Sequence, residues 1–167
     1  QYDLSIRLHE SFVDNLSAGL WSGATIRESK LQTDLEQLLG RSPEGLKVAD
    51  PEREWTVSFD KQSPITAKFD DAMLTLSLRA TGFTVGEKSY PGMWITVRYR
   101  IDRAVKGFVA NRQGQLEIGP PNFDPNAGDR IGVRQQVLRT MLRKRFTRIF
   151  PEQWIGDPIE LAGRWKQ

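Results

Sequence analysis

The stretch MLTLSLRATGFTVGEKSYPGMWITVRY, residues 73–99, alternates apolar and polar side chains on either side of Gly86-Glu87-Lys88. Leu74, Leu76 and Leu78 share one face before that turn, and Met93, Ile95, Val97 and Tyr99 share one after it. A period of two marks half-buried strands, because successive side chains point to opposite faces of a sheet. The turn is far shorter than the dozen or so residues a parallel return needs, so the two strands pair as an antiparallel hairpin. Phe83 and Val85 prolong the first of them past Gly82.

The same alternation extends outward. Trp55, Val57 and Phe59, then Ile65, Ala67 and Phe69, precede the hairpin, with turn residues at Gln62-Ser63-Pro64 and Asp70-Asp71. After it, Lys106-Gly107 turns the chain into Phe108–Ile118. The expectation is a five-strand antiparallel meander with long central strands, apolar on one face and rich in Thr, Ser, Arg and Lys on the other.

On both flanks the period becomes helical. Tyr2, Leu4, Ile6 and Leu8 form an opening strand, after which Phe12, Val13, Leu16 and Leu20 recur at helical spacing up to Ser22-Gly23. Thr25-Ile26-Arg27-Glu28 has the form of a capping box, followed by the stripe Ile26, Leu31, Leu35, Leu38 and Leu39 and by Gly40. Residues 41–53, with Pro43, Gly45 and Pro51, read as a loop, as do the proline-rich residues 119–128. A third helix is predicted from Ile131 to Phe150, with Ile131, Leu138, Leu142, Phe146 and Ile149 inward, Val137 and Met141 widening the stripe and Pro151 ending it. Ile159 and Leu161 suggest a short closing strand. Residues 1–167 thus read as a single α+β domain. Its curved antiparallel sheet is covered on one face by two N-terminal helices and one long C-terminal helix.

Composition narrows the chemistry. The 167 residues contain no Cys and a single His, which removes disulfides, thiolate nucleophiles, thiolate zinc sites and any site built on two imidazoles. Eight Phe, five Trp and three Tyr supply a core, and a mean hydropathy of −0.49 fits a globular chain. No apolar run has the roughly 18 residues of a transmembrane helix. An opening Gln1-Tyr2 without Met and the close at Arg164-Trp165-Lys166-Gln167 read as a piece of a longer precursor.

Catalytic candidates are few. His9 stands beside Glu10, but neighbours on a strand point to opposite faces and no Ser or Cys nucleophile is tied to it by spacing. Asp70 and Asp71 sit between strands, where Asp forms turns by bonding its own backbone. A hydrolase using His9, Asp70 or Asp71 is therefore the weakest reading. Residues 124–129 (DPNAGD) approximate a calcium loop whose glycine comes one place early and whose final ligand position holds Gln135, so no metal site is assigned. Asn15-Leu16-Ser17 matches a glycosylation sequon inside a helix. No phosphate loop or nucleophile elbow is present, and no cofactor is expected.

Charge says more. Arg130, Arg134, Arg139, Arg143, Lys144, Arg145 and Arg148 place seven cations between positions 130 and 150 with no acid among them. The net charge of +3 is thus a +7 helix and a −4 remainder. Such a helix can grip phosphates, lie on acidic lipid or pack with its Arg stems around an apolar contact. Residues 134, 139, 143, 144, 145 and 148 are the candidate anion site. A second candidate patch joins Trp94, Arg98 and Arg100 on the polar face of one strand to Arg79 on its neighbour, the aromatic and basic mixture that single-stranded nucleic acid binders use. No RNA-binding motif accompanies it, which weighs against nucleic acid.

Several stretches resemble an uncharacterised family of exported bacterial proteins: His9-Glu10-Ser11 with Asn15-Leu16, Gly23-Ala24-Thr25-Ile26-Arg27, Tyr90-Pro91-Gly92-Met93, Gln113-Gly114-Gln115-Leu116-Glu117, and Val133-Arg134-Gln135-Gln136-Val137-Leu138. The resemblance implies a bacterial envelope or extracellular context and no particular chemistry. The order of elements also resembles the tubular lipid-binding layout of BPI-like proteins. That would set Leu16 and Leu142 against Leu76, Ile95 and Leu116 around an apolar ligand. The leading expectation is a non-catalytic binding or structural module of a larger exported chain, its partner another domain, a protein or an apolar ligand. The alternative is an anion-binding surface, for nucleic acid or acidic lipid, on the basic helix.

Overall fold

A hairpin of two long strands forms the middle of the molecule in the computed structural model, which describes residues 9–39, 54–104, 107–123 and 129–156. The predicted opening strand, the 41–53 loop and the closing strand at Ile159 and Leu161 lie outside the described residues. The hairpin strands are β4 (Met73–Val85) and β5 (Lys88–Arg103), paired from Met73↔Arg100 to Val85↔Lys88. Gly86 at φ +55° occupies the first central position of the two-residue turn, where a left-handed backbone matches the strand twist. β3 (Ile65–Asp70) joins β4 through a second two-residue turn, in which Asp71 and Ala72 both have positive φ. Asp tolerates that conformation, and the Asp70-Asp71 pair serves it.

β2 (Trp55–Phe59) does not pair with β3, as a simple meander would require. Both lie against the same edge of β4, β3 along its first half and β2 along its second. The handover is a bulge: Ser58 faces Gly82 and Phe59 faces Ala80, leaving Thr81 unopposed. A side chain at Gly92 would bring its Cβ within 2.7 Å of the Ala80 carbonyl oxygen, so only glycine fits across from the bulge. The bulge moves the inward face from even to odd positions, and Phe83 is buried like Leu78 and Ala80. The other edge of β5 takes β6 (Phe108–Arg112) and then β7 (Glu117–Gly119), while β8 (Gln153–Gly156) extends the sheet beyond β6.

Thr25–Arg27 is not a capping box but a short strand, β1, on the outer edge of β2. The Thr25 hydroxyl bonds Ser58 Oγ at 2.9 Å instead of a helix amide, and Ile26 is buried in the sheet. Helix α2 begins at Glu28 and runs to Leu39, its Ser29 amide donating to Glu54 Oε1 at 2.7 Å. Glu54 is held below the ordinary carboxylate range by that contact with Ser29. The cap comes from 25 residues downstream, beyond what a local motif can show.

Helix α1 (Glu10–Trp21) also turns a different face inward. Phe12 and Leu20 are each 53% exposed, whereas Ser17 and Trp21 are buried. The reason is the outer edge of β3. Asp14 accepts from the Ala67 amide at 3.0 Å, and Ser17 Oγ donates to the Ile65 carbonyl at 2.8 Å. These bonds satisfy strand groups that would otherwise invite another strand. They also engage the hydroxyl of the sequon. Trp21 then stacks on Phe59 with centroids 5.9 Å apart.

Helix α3 (Val133–Ile149) packs its row Leu138, Leu142 and Phe146 onto Met93, Ile95, Leu116 and Ile118 in one buried core. Val137 is exposed and does not widen that row. Full burial of Leu138 and Leu142 shows the helix in direct contact with the sheet. Its ends are pinned along β5. Arg134 donates to the Ser89 carbonyl at one end. At the other, Tyr99 Oη donates to Pro151 O at 2.9 Å and Arg112 to Phe150 O at 2.6 Å. Burial pushes the Tyr99 hydroxyl up to about 12, so it stays a donor. The Arg112 cation suits the negative end of a helix.

Candidate functional site

Because three apolar residues at i, i+4 and i+8 fix the roll of α3, its cations must emerge on the two flanks. The six residues of the predicted anion site therefore do not converge. Arg139 and Arg143 emerge beside β7, whereas Lys144, Arg145 and Arg148 emerge beside Trp55 and Met141 around a depression of about 230 Å³. Arg134 is spent on Ser89.

On the second flank Arg145 forms an ion pair with Glu28, the first residue of α2, and both side chains are largely buried. Burial, with Arg148 nearby, pulls the guanidinium below its usual range. The pair joins α3 to α2, which makes Arg145 a structural cation.

The first flank is different. A pocket of about 390 Å³ lies where α3 passes β7, walled by Arg139 and Arg143 on one side and by Trp94, Thr96 and Phe123 on the other. Neither arginine has a carboxylate partner among the described residues, in contrast to Arg145, although the Nε of Arg139, Arg143, Arg145 and Arg79 alike is buried without a hydrogen-bond acceptor. Two unpaired guanidiniums one helical turn apart repel each other, and each presents a planar fork suited to carboxylate or phosphate. Glu117 also lines the pocket, but Arg98 holds its carboxylate in two contacts, the shorter 2.6 Å. Phe123 packs across Gly119, where a Cβ would come within 2.7 Å of its ring. Gly119 pairs with Trp94, and both Trp94 and Phe123 line the pocket.

No family model matches the chain, and no curated protein or solved structure matches it.

The second predicted patch shares only Trp94 with this wall: the Arg79 guanidinium sits 4.6 Å from the Trp94 ring centroid, a cation–π contact between directly paired positions. Arg98 is neutralised by Glu117, and Arg100 lies 3.5 Å from Asp102, so this face is less basic than its composition. Phe123, Thr96 and Gly119 escaped the sequence reading. Gly119 and Phe123 belong to a segment read as loop, and only the pairing of β7 to β5 brings them to Trp94; Thr96 shares the Trp94 face of β5 but carries no charge or ring to mark it.

His9, Asp70 and Asp71 come out as local structure. His9 is exposed and caps α1, its Nδ1 accepting from the Ser11 amide at 3.2 Å. Asp70 and Asp71 are exposed and shape the β3–β4 turn. A third depression, about 480 Å³ beside residues 58–62, includes Asp60. The Ser63 and Gln62 amides occupy that carboxylate and hold it below its ordinary value. No group of three acidic or His residues able to hold a metal occurs among the described residues. Residues 124–128 of the approximate calcium loop lie outside them.

Proposed function

We propose that this chain is a non-catalytic binding module that takes an anionic group of a partner between α3 and β7. The observation that carries this reading is that Arg139 and Arg143 line a pocket with aromatic walls and have no carboxylate partner among the described residues. Both side chains are only partly buried, so each is tolerated without a partner, and an incoming carboxylate or phosphate gains charge-assisted, bidentate hydrogen bonds to them. The anion reading is favoured over an apolar ligand held between helices and sheet because Leu138 and Leu142 close directly on the sheet. It is favoured over a nucleic-acid platform because Arg98 and Arg100 are engaged by acids. Resemblance to exported bacterial chains supports a place for the module within a larger envelope or extracellular protein.

The test uses citrate and inorganic phosphate as probes, each compared with chloride at equal ionic strength. Wild type gains thermal stability in citrate, and the double substitution Arg139→Gln, Arg143→Gln abolishes the gain while leaving the chloride melting temperature nearly unchanged. Gly119→Ala pushes Phe123 out of place and weakens the response without touching a charge. An equal citrate response in wild type and the double variant would falsify the site.

A further inference from the structure

We propose that the occupant of this pocket is an extended acidic peptide segment of a partner protein, added as a strand along the free edge of β7. The inference rests on the anion reading and names the chemistry of the partner. Among the described residues β7 pairs with β5 alone, so its other side presents unpaired backbone groups toward the pocket. The comparable outer edge of β3 is sealed by Asp14 and Ser17 of α1. At β7 no such device is present among the described residues. What flanks this edge are two cations, Arg139 and Arg143.

Spacing supports a strand. α3 is pinned to Ser89 at one end and, through Pro151, to Tyr99 at the other, so it runs along β5 and hence along β7. Residues four apart on a helix are separated by about 6 Å of axial rise. Alternate residues of a strand, which share a face, are separated by about 6.6 Å. Acidic side chains at i and i+2 of an added strand therefore meet Arg139 and Arg143 in turn, while main-chain hydrogen bonds fix the register. On the opposite face the intervening side chains meet Trp94 and Phe123, a wall suited to apolar or Thr residues. A free phosphate or carboxylate uses the arginines but leaves the strand edge empty.

The experiment measures binding of a short synthetic peptide alternating glutamate with threonine, against four comparators: its lysine counterpart, a backbone N-methylated version, citrate and oligothymidylate. The glutamate peptide binds, the lysine peptide does not, and N-methylation of alternate amides weakens binding roughly tenfold or more by removing main-chain donors. Arg139→Gln and Arg143→Gln each cost about a factor of ten. Amide hydrogen exchange slows at Glu117–Gly119 with the peptide and not with citrate. Equal affinity of the N-methylated peptide, or citrate binding without peptide binding, overturns strand addition and leaves the anion site standing. Failure of citrate and peptide alike removes both. Tighter binding of oligothymidylate with unchanged exchange at β7 assigns the pocket to nucleic acid and overturns the peptide.

Discussion

The two flanks of α3 carry the same residue type in opposite states. Arg145 is closed against Glu28 and joins two helices, whereas Arg139 and Arg143 have no carboxylate among the described residues and stand beside an open strand edge. Both flanks follow from the single apolar row that seats the helix, so basicity alone does not separate scaffold from site. What separates them is whether the facing element supplies a carboxylate. α2 offers Glu28. β7 offers only Glu117, and Arg98 already holds it.

The largest break in this contrast is to remove the acid on the structural flank. Glu28→Ala leaves Arg145 charged, mostly buried and unpaired, and the expected loss is about 3 kcal/mol of folding stability by urea titration. Adding Arg145→Met recovers most of it, because no buried charge is then left without a partner. No recovery in the double variant would mean that Glu28 acts through something other than Arg145.

The sealed edge of β3 gives the next largest effect. Asp14→Ala removes a charge-assisted hydrogen bond from the Ala67 amide and costs about 2 kcal/mol, while opening the β3 edge at Ala67 and leaving the Ser17 bond to Ile65 in place. Concentration-dependent self-association of Asp14→Ala, absent in wild type, would show that α1 protects an edge as well as packing against it.

Glu54 links the contrast to pH. Its carboxylate caps Ser29, next to Glu28, and its pKa lies below the ordinary carboxylate value. A lowered pKa means that the folded state holds the proton less tightly than the unfolded chain. The stabilisation is therefore complete above the unfolded value of about 4.3 and fades as pH falls through the lower folded value. Glu54→Gln should cost about 0.5 kcal/mol at pH 7, and its melting curve should converge on wild type at the acid end. A gap that persists undiminished at low pH would place the effect in packing.

The sheet and α3 were legible in the sequence because alternation and the Leu138–Phe146 spacing are local and repeat. The misreadings share one physical cause, a partner far along the chain. Thr25-Ile26-Arg27-Glu28 carries a capping signal, yet β2 recruits its first three residues as a strand. Phe12, Leu16 and Leu20 form the stronger apolar row of α1, yet the hydrogen-bonding needs of β3 turn Asp14 and Ser17 inward. In the candidate site, Arg139, Arg143 and Trp94 were recognisable by type. Their meeting with Phe123 was not, because it depends on β7 returning to β5 and on Phe123 folding over Gly119.

The smallest expected change bears most directly on the contrast. Arg139→Gln or Arg143→Gln breaks no ion pair among the described residues and relieves one like-charge neighbour at helical spacing. Stability should therefore stay within about 0.5 kcal/mol of wild type, with a slight gain at low salt that fades as salt screens the repulsion. A functional cation is expected to behave in this way: silent in the free protein and costly only when its ligand is present. A loss of 2 kcal/mol or so would put Arg139 or Arg143 in the same class as Arg145. The unpaired guanidiniums would then be part of the scaffold, and the open edge of β7 would have lost the charges that make it a binding site.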